Sequence, residues 1–139
     1  WPAMNGRIFA VAFSPDGLKF AAASSLDEKG AVNIYNYDFN TEVPADILAI
    51  EAKGGRTPED KKKLEDHYTS DAKLIASVPL DSGGAYALAY RPDGAVIAVG
   101  GEDGHVRFVS AVPDAKVVKD FIPVPISPAA AQTAQIQSH

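Results

Sequence analysis

The sequence contains no cysteine. Disulfides, thiolate metal sites, a cysteine nucleophile and covalent c-type haem attachment are therefore excluded within these 139 residues. Lack of cysteine leaves the compartment open between cytoplasm and periplasm, since proteins of both can do without it. Histidine is scarce, and no two of His67, His105 and His139 have the spacing of a zinc site. Positive charge is in deficit, with 13 Lys and Arg against 18 Asp and Glu and a net charge of −5. That balance gives no electrostatic reason to expect nucleic acid. The one basic run, Lys61-Lys62-Lys63, lies among Glu59, Asp60, Glu65 and Asp66 and reads as a solvated helix face. No apolar run approaches a membrane span, and no signal-peptide pattern opens the chain. The first residue is Trp1 rather than methionine, so a processed or excised piece is expected.

The motifs of chemistry are equally thin. Gly83-Gly84 and Gly100-Gly101 are not followed by Gly-Lys-Ser/Thr and make no phosphate cradle. Glu102-Asp103-Gly104 and Asp27-Glu28 offer too few oxygens for calcium, which takes about six to eight. Turn chemistry accounts for Asp-Gly there. Ser24-Ser25 has no His/Asp context, so a nucleophile reading is weak. No catalytic, cofactor-binding or metal-binding residue is assigned, and an enzyme is not expected.

What the sequence does have is a duplication within an apolar fraction of 46%, enough to drive a core. Residues 8–36, IFAVAFSPDGLKFAAASSLDEKGAVNIYN, return at 85–110 as AYALAYRPDGAVIAVGGEDGHVRFVS. The copies align without gaps from Ile8/Ala85 to Ser25/Glu102. Each begins with a short apolar run of strand character. In the first copy Phe9, Val11 and Phe13 alternate with Ile8, Ala10 and Ala12, and the small residues suit close packing on another layer. Pro15-Asp16-Gly17 and Pro92-Asp93-Gly94 are tight turns in which proline presets φ and glycine accepts a positive φ. A second strand follows (19–24, 96–100), then a polar turn (25–30 in the first copy) and a third strand (31–35, 106–109). Residues 73–79 and 117–124 stand in the place of a fourth strand.

Between the first copy's third and fourth strands the pattern changes. Residues 45–52 read as a short helix. Thr57-Pro58-Glu59-Asp60 is a helix start, with Thr57 as N-cap and Pro58 in the first turn. That helix is expected to run to about Tyr68, with Leu64 and Tyr68 four apart and facing the body. Residues 126–139, ISPAAAQTAQIQSH, read as a linker or frayed tail.

Four antiparallel strands per repeat describe one propeller blade. The residues AVAFSPDGLKFAAASS, GAVNIYN and ALAYRPDGAVIAVGGEDGHVRFVS resemble the WD40 family of β-propellers. The expected fold is thus all-β: two four-stranded antiparallel blades with a short helical insert in the first, an incomplete propeller unless assembled. The expected boundaries are 1–7 for a lead-in, 8–80 for the first blade with its insert at 41–72, 81–125 for the second and 126–139 for the tail. The Trp-Asp pair that names the family is Tyr35-Asn36 in one copy and Val109-Ser110 in the other, and its Gly-His pair is missing. Asp103 matches the aspartate of the family's buried network but lacks the family's His and Trp partners, so core packing is expected to hold the blades.

By the same resemblance, Asp27, Glu28, Asp81, Glu102 and Asp103 fall at one end as an acidic patch, and the insert hangs from the other end or from the outer rim. The resemblance implies a non-catalytic protein-interaction scaffold that binds protein partners or further blades and forms a homo-oligomer if it exists alone. Arg7, Arg91 and Arg107 are the partner-binding candidates. The insert also resembles that of large bacterial multidomain proteins with cytochrome-c-like domains. The alternative is therefore a supporting segment of a larger redox or hydrolytic enzyme whose catalytic domain lies outside this chain. No cofactor is expected within it.

Overall fold

The computed structural model describes residues 4–38, 41–111 and 114–124. The first strands are β1 (Arg7–Phe13), β2 (Lys19–Leu26) and β3 (Lys29–Tyr37), followed by helices α1 (Ala45–Glu51) and α2 (Pro58–Ser70) and then β4 (Ala72–Leu80). The second run is β5 (Ala85–Tyr90), β6 (Val96–Gly101), β7 (Val106–Ser110) and β8 (Val117–Phe121). They form two four-stranded antiparallel sheets, ordered β1-β2-β3-β4 and β5-β6-β7-β8. The expected tail at 126–139 and the first residues of the lead-in lie outside the described residues.

The repeat extends to fine detail. Each first strand is bulged at the same place, Ile8/Ala10 and Ala85/Ala87. Each third strand shifts register against the fourth at Ile34/Tyr35 and Phe108/Val109. In the two Pro-Asp-Gly turns Gly17 and Gly94 both have φ of 73°. The aspartates brace these turns by accepting the amides of Leu18 and Ala95, each at 2.9 Å. The β2–β3 turn is tighter than expected: the strands run to Leu26 and Lys29, leaving only Asp27 and Glu28 to reverse the chain. Their φ values of 49° and 62° are those of a two-residue turn that matches strand twist, built here without glycine.

The core lies between the sheets. Alternation puts Ala21, Ala23, Val32 and Ile34 of the first sheet against Ile97, Val99 and Val109 of the second, all within 1% of full burial. Each fully buried Val or Ile contributes about 1.5–3 kcal/mol. The alanines let the sheets approach, and Ala10 of β1 joins them as its spacing suggested.

The insert leaves from the end that carries the Pro-Asp-Gly turns, where the Tyr37 amide donates to the Leu18 carbonyl at 2.9 Å. Thr57 caps α2 by a capping box with Asp60, and Pro58 occupies the first turn. Leu64 is buried, but against Ile47 and Ile50 of α1 rather than the sheets. Tyr68 is 53% exposed. The expectation that both face the body is therefore corrected. α1 supplies two branched side chains one turn apart, and the helical hairpin closes a small core of its own.

Candidate functional site

Two features meet at the end opposite the insert. One is a seam between the sheets and the other an acidic cleft beside it. The seam is made by backbone that side chains would obstruct. A Cβ on Gly30 would lie 2.7 Å from the Gly83 carbonyl oxygen and 2.8 Å from the Ala85 nitrogen. Lys29 and Gly83 pair there as an isolated parallel bridge, tying the β2–β3 hairpin to the β4–β5 connection.

Behind the seam stands Arg107, only 4% exposed, on the face of β7 that looks toward the first sheet. Its guanidinium donates from Nη1 to Asp103 Oδ1 at 3.2 Å and from Nη2 to Asp103 Oδ2. Nε donates to Asp120 Oδ2 at 3.1 Å, and Nη2 also reaches Ser82 Oγ at 3.3 Å. His105 extends the network, its Nδ1 lying 2.5 Å from Asp120 Oδ1 and its amide donating to Asp103 Oδ1 at 3.1 Å. Hydrogen bonds from Arg107 hold the Asp103 carboxyl down to a pKa of about 2, against the opposing pull of desolvation. Asp103 thus lacks the family's His and Trp but has other partners, and Arg107 occupies the centre of an ionic network. Sequence reasoning missed this network. The signal was present: in a third strand of alternating Val-Arg-Phe-Val, Arg107 shares the buried face with Val109.

The cleft is an open one of about 660 Å³, lined by Asp27, Glu28, Lys29, Asp81, Ser82, Gly83, Glu102 and Asp103. Every carboxylate expected at this end is in it. The Tyr86 hydroxyl donates to Glu102, which raises the Tyr86 pKa. Phe9 meets the Tyr86 ring edge-on, with centroids 4.5 Å apart. Among the described residues no group of three or more His, Asp or Glu could hold a metal ion. Nor is any helix long and apolar enough to cross a membrane.

The three candidate arginines do not form one surface. Arg7 is exposed at the start of β1, paired in register with Ser25 at the cleft end. Arg91 is exposed at the opposite end and bridges to Asp93 at 2.6 Å within its turn. That contact lowers the Asp93 pKa and raises that of Arg91. Arg107 lies between the sheets.

Residues 72–110 match the family model described as "WD40: WD domain, G-beta repeat". The matched span takes β4 and the first three strands of the second sheet, so it crosses the seam. A search of curated proteins finds no match. Among solved structures, Hsv2 of Kluyvelomyces marxianus aligns with a TM-score of 0.55 at 12% identity, over 90% of this chain and 32% of that one. Sqt1 of Chaetomium thermophilum, bound to the N-terminus of the ribosomal protein L10, gives 0.51 at 23% identity, over 89% and 27%. A Bacteroides uniformis protein provisionally described as a 6-phosphogluconolactonase gives 0.51 at 11%, over 83% and 26%. The chain spans about a third or less of the structures it matches, and at these identities the likeness establishes the fold: two propeller blades.

Proposed function

We propose that this chain is a non-catalytic interaction scaffold, a two-blade piece of a WD40-like propeller that receives a basic protein segment at its acidic end. The observation that carries this reading is the cleft of about 660 Å³, where both sheets and their connection contribute carboxylates. The two-residue turn holds Asp27 and Glu28, and Arg107 holds Asp103, so these groups need little ordering on binding. The Sqt1 neighbour, solved with a protein N-terminus bound, supports a peptide segment as the ligand class. Arg7 is proposed as a further contact at the same end and Arg91 as one at the opposite end. Arg107 is proposed to act from behind by fixing Asp103. Where the chain exists alone, it is also proposed to self-associate, because propellers close with about four to eight blades.

Binding of labelled Lys/Arg-rich and Asp/Glu-rich peptides tests the reading. The basic set binds, weakens as salt rises, and loses affinity in an Asp27→Asn/Glu102→Gln variant. Equal binding of both sets, or no response to the double substitution, overturns it.

The helical hairpin between β3 and β4 favours a second reading. Its resemblance to inserts of large bacterial multidomain proteins supports a structural segment of a redox or hydrolytic enzyme with cytochrome-c-like domains elsewhere. A Cys-x-x-Cys-His motif in the flanking reading frame would support it.

A further inference from the structure

We propose that Asn5 is a deamidation site whose product adds a carboxylate beside the acidic cleft. In this reaction, which makes asparagine thermolabile, the amide nitrogen of the next residue attacks the asparagine side-chain carbonyl carbon. A C–N bond forms and closes a five-membered succinimide, the attacking nitrogen gives up its proton, and the side-chain nitrogen leaves as ammonia. Water then opens the ring at one carbonyl or the other, giving aspartate or isoaspartate. Water is the only co-reactant, and nothing is oxidised or reduced. A side chain on the next residue hinders the attack, and glycine has none.

Asn5 is exposed on the bend that leads into β1, and Gly6 follows it. Among the described residues neither the Asn5 side chain nor the Gly6 nitrogen makes a hydrogen bond, so both reacting groups are free. Packing fixes glycine as the neighbour. Gly6 has φ of 83°, and a Cβ there would run into the Ser25 carbonyl and come within 2.9 Å of Leu26 Cβ. The other asparagines are hindered. Asn33, Asn36 and Asn40 precede Ile34, Tyr37 and Thr41, and Asn33 is buried with its amide nitrogen donating to the Tyr35 hydroxyl at 3.0 Å. Location gives the reaction its consequence. Asn5 lines a hollow of about 280 Å³ together with Leu26, Asp27 and Lys29. Asp27 and Lys29 line the acidic cleft as well, where Lys29 is the one cation among the lining residues. Either product carries a negative charge that Asn5 lacks and sets it beside Asp27 and Lys29. The cleft end therefore becomes more acidic as the protein ages.

The test is incubation of the full chain at physiological temperature in mildly alkaline buffer, which speeds the attack by favouring the deprotonated nitrogen. Ion exchange and peptide mapping by mass spectrometry are expected to show one growing acidic species, with Asn5 converted to a mixture of aspartate and isoaspartate. Asn33, Asn36 and Asn40 are expected to stay intact, and Asn5→Gln to abolish the acidic species. An Asn5 that stays intact in the folded chain, or conversion at another asparagine first, overturns the proposal. The effect on the cleft rests on the scaffold reading above and is read separately. Asn5→Asp is expected to bind the Lys/Arg-rich peptides about twofold more tightly than the wild type at low salt. Equal affinities overturn the link to the cleft. Failure of those peptides to bind either protein overturns the scaffold reading and leaves the modification standing.

Discussion

Arg107 reaches back to Asp103, four residues earlier on the same hairpin, and engages both carboxylate oxygens. The Arg107 side chain is 5% exposed and that of Asp103 19%. The pair is thus largely desolvated, and removing one member leaves a charge poorly compensated. Asp103→Asn is expected to cost about 2 kcal/mol, read as a lower urea midpoint at pH 7. The acid limb gives a second check. The folded pKa of about 2 lies below the ordinary 3.8, so the stabilisation is present above about pH 4 and lost as pH falls toward 2. The wild type and Asp103→Asn are expected to converge in stability across that window.

At the seam, the Gly30 position admits no side chain without moving backbone, because both close neighbours are main-chain atoms, the Gly83 oxygen of the β4–β5 connection and the Ala85 nitrogen at the start of β5. Gly30→Ala is expected to pry the hairpin from that connection at about 1–3 kcal/mol, the scale of overpacking. Gly55→Ala is the control, since nothing lies within 4 Å of its added carbon. Chemical denaturation of the two variants separates a crowded seam from a general glycine effect.

Local chemistry made much of this legible in the sequence. The Pro-Asp-Gly turns, the strand alternation and the Thr57 cap each depend on a few neighbouring residues, and the structure has them where they were read. Contacts between distant elements were not legible. Nothing near Arg107 in sequence shows that Ser82, from the connection between the sheets, lies within 3.3 Å of its guanidinium. The docking of Leu64 failed for a related reason. Helical spacing names an apolar edge but not the surface that covers it.

That edge yields a prediction about independence. Ile47, Ile50 and Leu64 form a cluster separate from the one between the sheets. Leu64→Asp buries a carboxylate among three aliphatic side chains and is expected to unfold the helical hairpin. The helical signal in circular dichroism drops while the β signal and the sheet melting transition stay. Loss of both together would mean that the hairpin and the sheets fold as one unit.

Tyr90 offers a stabilising change. Its hydroxyl is buried without a hydrogen-bond partner, and its ring packs on the core between the sheets. Desolvation, with a smaller effect from Asp16, pushes its pKa up to about 12. The repeat counterpart is Phe13, so the ring without the oxygen already occurs in this framework. Tyr90→Phe removes an unsatisfied group and is expected to stabilise the fold by up to about 1 kcal/mol at pH 7. The gap should widen in alkali. An acid whose pKa is raised by folding costs stability as pH climbs from about 10 toward 12, because the unfolded chain ionises first. Urea midpoints at pH 7 and near pH 11 test both parts. A Tyr90→Phe protein less stable than the wild type at pH 7 would show that the hydroxyl has a partner after all.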